Sequence, residues 1–288
     1  MKLNTSLTMP MPGTMGSAKI VMTDNTKTKI GIIGLGFVGG AINNSIEDFL
    51  VQKVLIDPHK GYSDTYDQLT DTDGVFVCVP SPMRDDGTCD TSFLEDVISK
   101  LKVANFQGVI ISKCTIPPST YEALAKDTPN LVHAPEFLTA ANANMDYISG
   151  KFAFIGGTVK AYMNEAERLI RITQPHLEDI IFCKIGEASL AKYTINSFLA
   201  TKVAFMNEIY EIAEASGLDY NKIAYMITAD KRIGQSHMRV PGPDGSFGFG
   251  GACFPKDTSA LLKYAESIGQ TPMVLDAAVK KNTLLRLK

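Results

Sequence analysis

Tryptophan is absent from the 288 residues, and cysteine is scarce. The five cysteines (Cys78, Cys89, Cys114, Cys183 and Cys253) are odd in number and never stand in C-x-x-C spacing. That argues against a disulfide framework and against a cysteine-based zinc site. A reducing, cytoplasmic setting fits this usage best. The four histidines (His59, His133, His176 and His237) form no H-x-x-x-H or H-x-H pair, so no metal is expected. A charge bias is also missing. The net charge of -3 gives no electrostatic case for a nucleic-acid or membrane partner. No run approaches the ~20 apolar residues of a membrane span. The first residues, MKLNTSLTMPMPGTMGSAKIVMTDNTKTK, lack the continuous apolar core of a secretory signal and read as a loosely ordered extension over 1–28.

What is present is ordinary globular material: 45% hydrophobic and 20% charged residues, in a chain long enough for two modest domains. From Lys29 the pattern becomes regular. KIGII, KVLI, GVFVCV and GVIIS are short β-branched or apolar runs, and TSFLEDVISKL between the last two has helical periodicity, with Thr91 or Ser92 at its N-cap. Strands alternating with helices predict an α/β unit, a Rossmann-like doubly wound parallel sheet over 29–185, with KFAFIGG and DIIFCKI as its last strands. Near Gly186 the character changes. The stretch from Glu187 to Gly217 is one long proline-free helical pattern, with Gly217 suited to its C-cap. A second helix follows in DYNKIAYMITA, then a Pro/Gly-rich loop, then two more helical segments. The expectation for 186–288 is therefore an all-helical domain built on one long central helix.

GLGFVG places Gly34, Gly36 and Gly39 in G-x-G-x-x-G spacing after a strand and at the opening of a helix, with Asp57 at the end of the next strand. That context is the dinucleotide-binding fingerprint. Gly34 permits the tight turn, Gly36 lets backbone approach a pyrophosphate, and Gly39 lets helix and strand pack closely. The carboxylate of Asp57 suits ribose hydroxyls and repels a 2′-phosphate, which favours NAD over NADP. The alternative is a glycine-rich turn with a capping aspartate.

A bound nicotinamide makes hydride transfer the expected chemistry. Cys253, in GSFGFGGACFPKD, is either a small packing residue or a nucleophile; a thiolate there could hold an aldehyde as a thiohemiacetal and then a thioester. Lys192 and Asn196 stand four apart on the long helix and share a face, so they could hold a developing alkoxide or be a solvated pair. Asp257 would fall in the first turn of a helix opened by Pro255, as a structural or a catalytic acid. Glu136, in HAPEFL, follows a strand on a proline-containing loop, as either a functional or a surface glutamate. Thr115, in KCTIPP, is a water-orienting hydroxyl or a turn residue.

Taken in order, GIIGLGFVG, VFVCVPSPMRDDGTCDTS, SKCTIPPST, APEFL, AKYTINSFLATKVAFMNE, RIG and GFGGACFPKD closely resemble the UDP-glucose/GDP-mannose dehydrogenases, from about Lys29 onward. The resemblance implies a homodimeric NAD enzyme that oxidises a sugar nucleotide twice, from alcohol to acid. Cys253 would be its nucleophile, Lys192 and Asn196 its oxyanion holders, Asp257 the holder of a water, and Glu136 the acid/base of thioester hydrolysis with help from Thr115. Phe37, Val38, Val79 and Pro80 would join the glycines and Asp57 around the cofactor. Phe137, Leu138, Arg232 and Gly250 would meet the substrate, Arg232 that of a neighbouring subunit. The long helix would be the dimer surface.

Three departures from the family pattern accompany the resemblance. A second glutamate expected four residues after Glu136 is Ala140, and an expected serine is Cys114. The chain also stops at Lys288, where the family continues with a further domain of ~100–150 residues. A hydroxyacid dehydrogenase, which oxidises once without a cysteine, shares the short two-part plan. A non-catalytic nucleotide-binding subunit is the remaining reading.

Overall fold

The computed structural model describes residues 27–47 and 51–288. The expected extension over 1–28 lies almost wholly outside them, and the first strand already begins at Thr28. Eight strands form one sheet: β1 (Thr28–Ile33), β2 (Val51–Asp57), β3 (Tyr62–Ser63), β4 (Gly74–Val77), β5 (Val109–Ser112), β6 (Leu131–His133), β7 (Phe152–Gly156) and β8 (Asp179–Cys183). Their spatial order is β3-β2-β1-β4-β5-β6-β7-β8. β4 and β5 are buried at every position, as strands covered on both faces must be.

The expected all-parallel sheet needs correction at two places. β3 runs antiparallel to β2, and β7 runs antiparallel to β6 through the single pair His133–Gly156. β3 is a two-residue return after a turn at Gly61, too short to show as a periodic pattern. A local apolar run carries no record of its direction.

Helices cover both faces. α1 (Phe37–Ser45) and α5 (Lys160–Thr173) bury Ala41, Ile42, Ala166, Leu169 and Ile170 on one side. α2 (Ser92–Val103) and α3 (Pro118–Lys126) bury Leu94, Ile98, Leu101 and Tyr121 on the other. α4 (Ala143–Ile148) lies against α1, where the Asn44 amide donates to Asn144 Oδ1 at 3.3 Å. Strand order reverses between β1 and β4, and that crevice is where ligands bind in open α/β sheets.

α6 (Ile185–Ala215) is the long helix. It starts two residues before the predicted Glu187, with the Lys184 N–H bonded to Glu187 Oε2 at 2.7 Å. It ends as a glycine C-cap should: Gly217 has φ +67°, and the Leu218 N–H reaches back to Ala213 O. α7 (Tyr220–Ile227) opens on Asp219, whose carboxylate accepts two backbone N–H groups. α8 (Phe254–Ser267) and α9 (Met273–Leu285) pack on α6. One stripe of α6 stays uncovered within the chain: Phe198, Phe205 and Ile212 are exposed. Among the described residues, no helix is long and apolar enough to cross a membrane.

Candidate active site

The glycine turn between β1 and α1 gives each glycine a separate physical reason. Gly34 has φ +83°, a left-handed conformation that favours glycine. A Cβ on Gly39 would stand 1.9 Å from Gly34 O, so helix and turn could not close. A Cβ on Gly36 would meet nothing within 4 Å. Gly36 is exposed and caps α1 without a side-chain bond, and the first turn of α1 carries no acid. No side chain caps the N–H groups there, which suits an anion site. Asp57 closes β2 and accepts the Leu35 N–H on Oδ2 at 2.7 Å, which fixes its carboxylate beside the turn. These residues fit a dinucleotide: an open cradle for the pyrophosphate and an acid for ribose hydroxyls. Phe37 is exposed at the turn, while Val38 packs into the core. Val79 is half-buried and its carbonyl accepts the Cys114 thiol at 3.3 Å; Pro80 is exposed beside it. A cleft of roughly 450 Å³ runs alongside, lined by Gly36, Phe37, Asn44, Lys60 and the 140–145 segment.

α6 and α8 bring the second group together. Lys192 and Asn196 are 8% and 7% exposed, which excludes the solvated pair. The Lys192 ammonium donates to Asn196 Oδ1 at 3.4 Å. The Asn196 amide donates in turn to Asp257 Oδ2 at 2.5 Å, and Lys256 holds Oδ1. Burial pulls the Lys192 ammonium below the ordinary lysine range; Asp257, Cys253 and Glu136 act against that pull by attraction, and Lys256 adds to it by repulsion. Pro255 occupies the first turn of α8, as expected, and Asp257 falls in the same turn, 1% exposed. Cys253 is the N-cap of this helix. Its carbonyl accepts the Asp257 N–H at 2.9 Å, while the residue itself is exposed, a free thiol at the rim of the buried network. Such an arrangement can offer a nucleophile to solvent-borne substrate with a cation and an amide behind it.

A third group converges from the sheet. Glu136 is no surface residue. Its side chain is 10% exposed and paired at 3.1 Å with Lys113, itself 2% exposed. The other carboxylate oxygen accepts the Phe137 N–H at 3.1 Å. The Phe137 ring lies 4.9 Å from the Lys192 ammonium and packs on Phe152 and Phe154, and so links this group to the α6 network. Leu138 turns away into the core. Thr115 is half-buried, with its carbonyl accepting the Cys89 thiol at 3.5 Å and the Tyr193 hydroxyl at 3.4 Å. Beneath lies His133, fully buried, stacked on Tyr121, with Nδ1 bonded to Ser112 O and Nε2 unpartnered. Burial holds its pKa down to about 3.

Two expected substrate residues stand apart from these groups. Arg232 is 89% exposed along its side chain and paired with Asp230 two residues away. Gly250 faces Arg286, where a Cβ would sit 2.1 Å from the guanidinium. The glycine loop is instead held from behind. Asn282 on α9 bonds both the N–H and the C=O of Phe249, and Asn207 on α6 accepts the Gly248 N–H at 3.1 Å. Sequence reasoning missed Asn207, Asn282 and Lys113. The first two bond partners 41 and 33 residues away, with no local signal. Lys113 lies inside SKCTIPPST, two residues before Thr115, and a lysine just past the end of a buried strand was the available clue. No group of three metal-ligating side chains occurs among the described residues.

The NAD binding domain of the UDP-glucose/GDP-mannose dehydrogenase family matches residues 44–174, and the central domain of that family matches 186–284. The chain is 30% identical over 250 residues to UDP-glucose 6-dehydrogenase TuaD of Bacillus subtilis, covering 83% of this chain and 52% of that one. It spans about half the length of the curated relatives it matches. Among solved structures, a UDP-glucose dehydrogenase from the hyperthermophilic archaeon Pyrobaculum islandicum superposes with a TM-score of 0.76 at 24% identity, over 92% of this chain and 70% of that one. A 3-hydroxyisobutyrate dehydrogenase of Mycobacterium tuberculosis gives 0.69 at 18% identity, over 88% of this chain and 92% of that one. At those identities the two structures speak for the fold alone.

Proposed function

Because this chain belongs to the UDP-glucose/GDP-mannose dehydrogenase family, we propose that it oxidises a sugar nucleotide, UDP-glucose first among them, at C6 from alcohol to carboxylate. NAD, when bound at the glycine turn, supplies the hydride acceptor for both oxidations. The chain's own residues do the rest. Cys253 Sγ adds to the aldehyde carbon of the half-oxidised sugar. The oxygen that becomes an alkoxide in this adduct is held by the Lys192 ammonium and the Asn196 amide. Asp257 keeps both oriented through its bond to Asn196 and orders a water. After the second oxidation the sugar is a thioester on Cys253. Glu136, with Thr115 beside it, takes a proton from the water that releases the acid.

One observation supports this reading above the others: a buried Lys192–Asn196–Asp257 network ends at an exposed, unpaired thiol. A single-step alcohol oxidation has no use for that thiol. The reading places the division between an NAD-binding part over 29–185 and a helical part over 186–288. It pairs two copies through α6, puts Arg232 toward a neighbour's substrate, and assigns the enzyme to the cytoplasm.

The test is to incubate the purified chain with NAD and a panel of sugar nucleotides, and to count NADH per product. Two NADH and one uronate are expected. One NADH with an aldehyde or ketone would move the chain to the single-step class. NAD binding without turnover on any sugar nucleotide would make it a binding subunit.

A further inference from the structure

We infer that Lys113 is a positioning residue for the hydrolytic half of the reaction: with the Phe137 N–H it aims the Glu136 carboxylate by two fixed bonds, so that loss of Lys113 stalls the chain as an acyl-enzyme. The inference rests on the function proposed above. Its evidence is geometric. β4, β5 and β6 run in parallel, and β5 and β6 each continue the pairing one residue past their ends, where the Lys113 N–H bonds to Val77 O of β4 and the Ala134 N–H to Ser112 O of β5, each at 2.9 Å. This continuation carries Lys113 and Glu136 to the same end of the sheet. The Lys113 ammonium reaches Glu136 Oε2 at 3.1 Å, and the Phe137 N–H reaches Oε1 at 3.1 Å. Both carboxylate oxygens are therefore fixed, one by a charge and one by backbone.

The pair is too well buried to be a surface ornament. An ion pair of this kind costs desolvation and is strongly destabilised when one partner is removed. The groups around Glu136 show why the cation matters. Cys78 at the end of β4, Tyr147 on α4 and Lys192 on α6 all lie within electrostatic reach of its carboxylate. Lys192 is a second cation within that reach, and the proposed mechanism engages it with the alkoxide, whereas Lys113 bonds the carboxylate directly.

In the step concerned, the oxygen of a water adds to the acyl carbon as Glu136 accepts one of its protons. The carbon–sulfur bond then breaks with its electron pair retained on Cys253 Sγ, and the product leaves as the acid. No electrons are gained or lost overall. Lys113 touches neither water nor sulfur; it acts through the carboxylate.

The experiment compares wild type with Lys113→Met, Lys113→Gln and Lys113→Arg, using UDP-glucose, NAD and intact-mass analysis of the quenched protein. In the Met and Gln variants, NADH should appear in a burst of two per subunit. Turnover should then fall by about 100-fold, the low end of what one general base contributes. A sugar-derived adduct on Cys253 should accumulate. Arg, which restores the charge, should recover most of the turnover and abolish the adduct. Gln keeps a donor on a side chain one atom shorter, so it reports even if Met does not fold. A wild-type rate in a folded Gln or Met variant, or a loss confined to the burst itself, overturns the role of Lys113 alone. A wild-type chain that makes no uronate overturns the function beneath it.

Discussion

The side-chain amide of Asn196 on α6 donates to the Asp257 carboxylate on α8 across 61 residues of sequence, and both ends are buried. Lys256 takes the other carboxylate oxygen, so Asp257 is satisfied only while both donors are present. Replacing Asn196 with Ala leaves a buried carboxylate oxygen without its donor, at a cost of about 1–3 kcal/mol. The expected result is a lower urea midpoint with an unchanged slope, together with a strongly reduced kcat. Unaltered stability would mean that the α6–α8 bond is not formed in solution.

The glycine turn offers a sharper contrast, because its glycines differ in what a methyl group would meet. Gly39→Ala drives a Cβ into Gly34 O and should destabilise the whole first unit. Gly36→Ala enters open space and should leave stability within about 0.5 kcal/mol of wild type. It should nonetheless weaken NAD, whose pyrophosphate needs that space. Thermal melts and calorimetric NAD titration of the two variants separate fold from cradle. Equal NAD affinity in Gly36→Ala and wild type would show that the cofactor lies elsewhere.

His133 gives the fold a pH dependence of known sign. In the folded chain its pKa is about 3, held down chiefly by burial, against an ordinary value of 6.5. Between those values the unfolded chain takes up a proton that the folded chain refuses. Stability therefore falls as the pH drops through this window, by up to about 1.4 kcal/mol per pH unit, and is fully present above it. Urea midpoints measured from about pH 7 to about pH 4 should fall steeply in wild type and less steeply in His133→Gln. Parallel curves for the two proteins would remove His133 from the account.

These residues also show what could be read from the chain and what could not. The glycine fingerprint was legible because its geometry is local: a turn, a helix cap and a close approach within six residues. Pro255 and Asp257 were legible for the same reason, since capping rules act over one turn. The Lys192–Asn196 pair was found by spacing, but spacing could not say whether that face was wet. Only the packing of α8 and Phe137 buries it. The direction of β7, the Asn282 clamp on Phe249 and the Lys113–Glu136 pair depend on which distant segments meet. Arg232 was expected at a neighbouring subunit's substrate; among the described residues of one copy it pairs with Asp230 and is otherwise exposed.

The uncovered stripe on α6 carries the last prediction. Phe198, Phe205 and Ile212 are 68%, 56% and 60% exposed. They are spaced seven apart, so they fall on one face over four helical turns. Three large apolar side chains in a row on an exposed helix face are a seam that a second copy can cover, and the proposed homodimer puts its α6 there. Phe205 is the middle of the seam. Phe205→Glu would place a carboxylate against its own symmetry mate or against apolar surface, and either is unfavourable at a buried interface. Because the side chain lies outside the chain's own core, the fold and NAD affinity should be unchanged. Sedimentation velocity should show wild type as a dimer and the variant as a monomer at the same micromolar concentration. A wild type that sediments as a monomer, or a variant that remains dimeric, would mean that α6 is not the surface joining two copies.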